Sequence, residues 1–395
     1  MNPELKEILR SKVAAIFSKI KGYREYLHQH PELSYQEYAT MEFVSQKLAE
    51  IGIPHEKGVA GTGVIGIIRS SKHSENQDCI GLRADLDALP IQEQNEHSYK
   101  SKVAGVMHAC GHDVHTSILL GTAEILFELK EQLAHPVKLI FQPGEEKNPG
   151  GASLLIEAGV LENPRVKEMY ALHVFPDIEV GKLALRPGLN MASCDELHIT
   201  IIGVGGHAAM PEKCVNPIII GSEFIIEAQQ LIKANCPKDV PCVLNFGKFE
   251  ALGATNVVPE RAELKGTFRT MDEAWREKAA QILIDLAENI SKKYKGKINL
   301  LISKGYPFLK NDAQLTDKLK LKFQTFFGEE NTEGLALRMT SEDFSFYSQT
   351  IPVCFFRLGV GNKEKGIIYS VHHPKFDVDS ECLKTGMLAM IQTVL

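Results

Sequence analysis

The stretch His108-Ala109-Cys110-Gly111-His112-Asp113-Val114-His115 gathers one thiol, three imidazoles and one carboxylate into eight residues. Cys110 and His112 stand two apart, so on an extended or loop backbone their side chains can face the same way. Thiolate and imidazole are both good ligands for zinc and related transition metals. Further along, Glu145-Glu146 follows the apolar run Val137-Lys138-Leu139-Ile140-Phe141. A carboxylate pair at the end of a strand can set a metal ligand beside a general base. The combination points to metal-assisted hydrolysis.

Other segments carry groups of the same kind. Arg83-Ala84-Asp85-Leu86-Asp87 presents two carboxylates after a strand, His173 lies in Ala171-Leu172-His173-Val174-Phe175, and His372-His373-Pro374 falls in a loop near the C-terminus. Taken singly, each has an ordinary structural role beside the chemical one. His173 reads equally as a hydrogen-bonded core histidine. Glu145-Glu146 reads as a solvated helix start, Cys110 as a small buried apolar residue, and Asp85 and Asp87 as turn or capping residues. The density of such groups near strand ends is what favours a site.

The elements that must position these residues follow from periodicity. Apolar residues Leu5, Ile8, Leu9, Val13, Ile16, Phe17 and Ile20 predict an amphipathic helix over residues 3–21, within a start that runs from Met1 and Asn2. A second helix is expected from Glu37 to Ile51 and a third from Thr116 to Leu129. Apolar runs at Gly63–Ile68, Cys79–Leu82 and Val137–Phe141 read as buried strands. Strands alternating with helices predict an α/β catalytic domain whose mixed, largely parallel sheet is flanked by helices. Such sheets place their sites where strands end.

The pattern changes after about residue 185. Asp195 to Gly203 alternates like a half-exposed strand, and helix, strand, strand, helix and strand follow at Pro217–Ala234, Cys242–Glu250, Glu260–Arg269, Met271–Tyr294 and Lys297–Ser303. That order is a ferredoxin-like α+β unit. The expected division is therefore a catalytic domain over 1–185 and 299–395, with an inserted domain over 186–298.

Composition bounds the function. The 395 residues are 44% hydrophobic and 24% charged, with a formal net charge of -6. This balance is that of a globular protein and supports neither nucleic-acid nor membrane-surface binding. No apolar run is long enough to span a bilayer. The eight cysteines include no CxxC pair, and the start lacks the features of a signal peptide. The expected compartment is a reducing, cytoplasmic one.

Across nearly its whole length the chain resembles the aminoacylase and carboxypeptidase family of dinuclear metallohydrolases. The resemblance is carried by GLRADLDALP (Gly81 to Pro90), MHACGHDVH (Met107 to His115), FQPGEE (Phe141 to Glu146), ALHVFP (Ala171 to Pro176), GGHAAMP (Gly205 to Pro211), NVVPE (Asn256 to Glu260), GTFRT (Gly266 to Thr270), SEDFSFY (Ser341 to Tyr347) and HHPKFDVD (His372 to Asp379). The similar branch contains amidohydrolases of N-acyl amino acids, hippurate, N-acetyl-diaminopimelate and indoleacetyl-amino acid conjugates.

The resemblance implies two divalent metal ions and five ligands. Cys110 would bridge, with His112 and His173 completing one site and Glu146 and His372 the other. Glu145 would be the general base, Asp87 would support the cluster, and Asp85 would not ligate. Zinc suits a thiolate bridge, while manganese, cobalt or nickel can occupy the same ligands. In the inserted domain, which would act as lid and dimerisation unit, His207 would reach a partner's site in a homodimer and help stabilise the oxyanion. Asn256 would contact substrate, and Arg269 would hold a substrate carboxylate or form a structural ion pair.

The expected reaction is hydrolysis of the amide of an N-acyl amino acid. The alternatives are a dipeptidase or carboxypeptidase of the same family, and a non-catalytic metal-binding protein. The chain departs from the family pattern at Gly144, where alanine is usual, in the longer link Lys147-Asn148-Pro149, and at Glu212 and Asn216, where histidine and aspartate are common. These positions bear on acyl and amino-acid preference.

Overall fold

The computed structural model describes residues 3–395, so Met1 and Asn2 of the expected amphipathic start lie outside it. The described chain forms two compact units. One comprises the residues up to Asn190 with Lys310–Ala336 and Asp343–Leu395; the other comprises Met191–Leu309 and Leu337–Glu342.

The larger unit is built on an eight-stranded sheet in the order His55–Val59, Gly63–Ile68, Val137–Gln142, Cys79–Asp85, Val166–Glu179, Val353–Gly361, Leu183–Leu185, Thr332–Gly334. The strands from Val137–Gln142 to Val353–Gly361 run parallel to one another, while the pairs at the Gly63–Ile68 side are antiparallel. Cys79–Asp85 and Val137–Gln142 are buried at every residue. That accounts for their unbroken apolar runs, since a central parallel strand is covered on both faces. Helices Pro3–Gln29, Tyr38–Ile51, His112–Glu128 and Cys382–Val394 contribute to its hydrophobic core through Leu9, Ile20, Val44, Leu48, Ile118, Leu119 and Met387. No helix among the described residues is long and apolar enough to cross a membrane.

Three element bounds differ from expectation. The first helix continues past residue 21 to Gln29. Gly22 costs it about 1 kcal/mol relative to alanine, offset by the burial of Arg24, Leu27 and His28 in the last turns. The strand beginning at Cys79 carries on through Arg83 and Ala84 to Asp85. The third helix starts at His112, four residues before Thr116, which puts His112 and His115 in its first turns. Gly111 precedes it at φ +86, a left-handed backbone that glycine adopts freely. A Cβ there would lie 2.4 Å from Val174 Cγ2.

The smaller unit has a four-stranded sheet in the order Cys242–Glu250, Arg261–Thr270, Asp195–Ile202, Lys297–Lys304, each neighbouring pair antiparallel. Helices Pro217–Asn235 and Glu273–Tyr294 supply Phe224, Ile232, Trp275 and Leu283 to the core formed with Leu197, Ile199 and Ile201. This is the ferredoxin-like order of strands and helices. The boundary expected at 298/299 falls inside Lys297–Lys304, which pairs along its length with Asp195–Ile202; the unit accordingly runs on to Leu309.

Gly111→Ala should destabilise the fold by about 1–3 kcal/mol, from overpacking against Val174 added to left-handed strain. A lowered urea midpoint at unchanged m-value checks this.

Candidate metal centre

The parallel strands bring the chemistry to their C-terminal ends, where open α/β sheets gather ligands. Asp85 is in register with Gln142, and Arg83 with Ala171, so His173 stands level with Asp85 on the adjacent strand. Glu145 and Glu146 occupy the turn just past Val137–Gln142. His372 comes from a distant loop and donates its backbone N–H to Ala109 O at 2.7 Å. Its φ of +66 is left-handed, an uncommon backbone for a residue with a Cβ.

These residues converge. Cys110 Sγ lies 3.3 Å from His173 Nε2 and 3.3 Å from His372 Nε2. His372 Nε2 is in turn 3.3 Å from Glu146 Oε1. Potential donor atoms lie within 4.8 Å of one another in Cys110, His112 and His173, in Cys110, Glu146 and His372, and in His112, Glu145 and Glu146. Cys110 belongs to both of the first two groups.

The imidazoles are oriented from behind. His112 Nδ1 faces Asp87 O at 2.9 Å and Asp87 Oδ1 at 3.1 Å. His173 Nδ1 faces Val174 O at 2.8 Å. With Nδ1 turned to these partners, each Nε2 faces the other donors, and once the ring is neutral it offers them a lone pair, the usual arrangement of a ligating histidine. Asp87 also accepts from Ser34 Oγ at 2.6 Å and from the Glu146 backbone N–H at 2.9 Å. Asp85 is occupied by Arg83 Nη1 at 2.5 Å and His115 Nδ1 at 2.6 Å, and His115 Nε2 accepts from Val174 N at 3.0 Å. Asp113 accepts from Arg24 and His28.

The electrostatics are those of a centre that wants a cation. Burial, reinforced by the Glu146 and Glu145 carboxylates, pushes the Cys110 thiol well above its usual range. Burial with the charges of His115 and Arg357 holds His173 well below the ordinary imidazole value. Burial opposes protonation of His112, but Asp85 and Asp87 outweigh it and raise that group to about 10. His112 Nε2 is buried without a hydrogen-bond partner, and Glu146 Oε1, though 3.3 Å from His372 Nε2, makes no bond of hydrogen-bond geometry. Orphaned polar atoms of this kind carry a desolvation penalty that a bound divalent ion would relieve. A soft thiolate, imidazoles and carboxylates also suit zinc and its neighbours, so the residues fit the expected metals.

The remaining expected residues belong to the smaller unit. His207 pairs in register with Val257, and Ala208 N–H donates to Asn256 O at 3.0 Å, so His207 and Asn256 are brought together. Arg269 Nη1 donates to Met339 O at 3.3 Å and Ser341 Oγ at 3.2 Å, contacts of a structural kind.

Sequence reasoning missed Ser34, Glu37 and Asp343. Glu37 is fully buried and accepts from Gly144 N–H at 2.8 Å and Thr62 Oγ1 at 2.6 Å. Asp343 accepts from Arg83, Gln142 and Ala152, and its own N–H lies 3.3 Å from Glu145 Oε1. The polar run Glu32-Leu33-Ser34-Tyr35-Gln36-Glu37, between two helices, was the available signal for the first two.

A mixed α/β sheet with acid, thiol and imidazole donors at its strand ends defines a metallohydrolase type of architecture. Residues 81–395 match the family described as Peptidase family M20/M25/M40, and the chain belongs to that family, whose class of reaction is amide-bond hydrolysis. It is 36% identical over 389 residues to thermostable carboxypeptidase 2 of Saccharolobus solfataricus, covering 98% of this chain and 97% of that protein. It is 37% identical over 379 residues to an IAA-amino acid hydrolase of Arabidopsis thaliana (94% and 83%) and 35% identical over 379 residues to N-acetylcysteine deacetylase of Bacillus subtilis (93% and 94%). Among solved structures it is similar to the Bacillus subtilis YXEP protein, a dinuclear metal-binding peptidase, at TM-score 0.79 and 30% identity, covering 96% of this chain and 98% of that one.

Removing the Asp87 carboxylate in Asp87→Ala should weaken metal binding by about 10–100-fold, as loss of an orienting partner does. Because the Cys110 thiol must lose its proton to ligate, affinity should rise with pH and fall on acidification. Chelator competition between about pH 6 and pH 8 measures both effects.

Proposed function

We propose that this protein hydrolyses the amide bond of N-acyl amino acids, using two divalent metal ions held by Cys110, His112, Glu146, His173 and His372. Zinc suits the thiolate, with manganese, cobalt or nickel as alternatives. The observation that carries the reading is the placement of Cys110 Sγ 3.3 Å from both His173 and His372, with Glu145 and Glu146 gathered against His112. When bound, the ions would supply Lewis acidity toward water and the amide carbonyl.

The protein's own groups do the rest. Glu145, buried beside the donors, takes the proton of the attacking water and passes it to the leaving amine. Asp87 holds His112 and the Glu146 backbone in place. His207, acting in a partner subunit's site within a homodimer formed through the smaller unit, donates to the developing oxyanion. Asn256 contacts the substrate, and Arg269, which donates to Met339 O and Ser341 Oγ, either holds a substrate carboxylate or serves a structural role.

The relatives' names support acyl-amino acid substrates, through the indoleacetyl conjugate hydrolase and the N-acetylcysteine deacetylase. The carboxypeptidase relative, at 36% identity, favours a second reading as a peptidase. Metal-loaded protein assayed on N-acetyl amino acids, hippurate and dipeptides separates the two. Deacylation is expected to dominate, and dipeptide cleavage without deacylation would reverse the order.

Glu145→Gln should retain its metal content while kcat falls by about 10²–10⁴-fold, the usual contribution of a positioned acid–base group. Metal analysis alongside steady-state kinetics reads both, and wild-type turnover would remove Glu145 from the role.

A further inference from the structure

The His372 loop and the Cys110-His112 segment are joined by a buried arginine that the proposed chemistry does not use. Arg24, on helix Pro3–Gln29, has a side chain only 2% exposed. Its Nε donates to Asp113 Oδ2 at 2.9 Å, and its Nη2 donates to Asp377 Oδ1 at 2.8 Å. Asp113 is the residue after His112. Asp377 lies five residues beyond His372. One guanidinium thus connects the segment that carries Cys110 and His112 with the loop that carries His372.

The surroundings make this a fixed fork. Arg24 lies over the Tyr99 ring at 4.6 Å from its centroid, and Tyr99 Oη donates to the other Asp377 oxygen at 2.8 Å. Asp113 is shared with His28 Nδ1 at 2.8 Å. Asn95 Nδ2 donates to Phe376 O at 2.9 Å, and Gln94 N–H to Pro374 O at 2.9 Å, gripping the backbone of the same loop. The left-handed φ of His372, +66, is a conformation that persists where the surroundings over-determine it. A planar guanidinium that donates in two directions at fixed angles can hold two segments in register, which a flexible ammonium cannot.

We propose that Arg24 is a positioning residue for the metal centre: through Asp113 and Asp377 it sets the His372 loop against Cys110. This rests on the metal-site reading above. The ion held by Glu146 and His372 depends on this clip, whereas the one held by His112 and His173, anchored by Asp87 and Val174 O, does not.

The test is cobalt(II) titration of the full-length protein, followed by metal analysis and the thiolate charge-transfer and d–d absorption bands. Asp377→Asn keeps the shape and removes the charge, and Arg24→Lys keeps the charge and removes the fork. Lys365→Met is the control, since it breaks an ion pair of the neighbouring segment with Asp379. In both test variants the second cobalt equivalent should bind about 10–100-fold more weakly, with the first equivalent and its spectrum unchanged. The control should follow wild type. Two equivalents binding to Asp377→Asn and Arg24→Lys as they do to wild type would overturn the clip. Equal weakening of both equivalents with a lower Tm of the metal-free protein would overturn it in favour of a purely structural ion pair. Failure of wild type to bind two equivalents would instead sink the metal-site reading itself.

Discussion

The Asp87 carboxylate is the interaction on which the candidate site depends. It is almost fully buried, and three separate segments meet on it: the Ser34 hydroxyl, the Glu146 backbone N–H and His112 Nδ1. Burial pushes this acid up, but the hydrogen bonds from His112 and Ser34 outweigh it and keep it below its ordinary value. Asp87 is thus ionised at neutral pH, and an ionised carboxylate without water must be met by donors at close range. That requirement ties the loop after the first helix, the end of a central strand, the start of the third helix and the Glu145-Glu146 turn to one point. It also orients the His112 ring, because turning Nδ1 to Asp87 points Nε2 toward Cys110 and Glu146.

Charge is arranged in layers around that point. The inner layer holds Cys110, Glu145 and Glu146 with the imidazoles of His112, His173 and His372. Two buried guanidinium groups one layer out are already engaged, Arg83 by Asp85 and Asp343 and Arg24 by Asp113 and Asp377. Their carboxylates are spent on orienting backbone and rings, so their positive charge does little to neutralise the inner thiol and acids. The thiol is driven up by burial and then by its acidic neighbours, while Asp113, beside Arg24 and His28, stays ionised. Folding supplies the donors, and a cation of high charge density would balance the thiolate and carboxylates gathered there.

Much of this was legible in the sequence because the inner residues are chemically distinctive. Cys110, His112, Glu145, Glu146, His173 and His372 could be named from residue type and motif, and the alternation of Asp195–Ile202 announced the second sheet. The outer layer was less visible. Arg24 and His28 continue an amphipathic helix past Gly22, and nothing local separates a buried arginine on such a helix from a solvated one. Asp377 and Asp343 lie far along the chain from Arg24 and Arg83, so their pairing is a product of topology. The early start of the third helix was hidden for a related reason. Gly111 reads as a breaker of what precedes it, and its left-handed φ against Val174 emerges only when the neighbouring strand is in place.

The departure at Gly144 shows how one such tertiary constraint can shape a site without touching its donors. Gly144 has φ +58, and a Cβ there would lie 2.3 Å from the Tyr35 ring. The tyrosine fills the space that an alanine methyl would occupy. Its hydroxyl donates to Lys147 O at 2.7 Å and accepts from Gly150 N–H at 3.0 Å, spanning the lengthened link that follows Glu146. Glu37 holds the Gly144 N–H from the other side. Gly144 and the Lys147-Asn148-Pro149 link are thus both packed against the same tyrosine. With Tyr35 in that space, the turn delivers Glu145 and Glu146 to His112. The packing of Tyr35 against this turn thus shapes the backbone on either side of Glu145 and Glu146 without occupying any of the donor atoms.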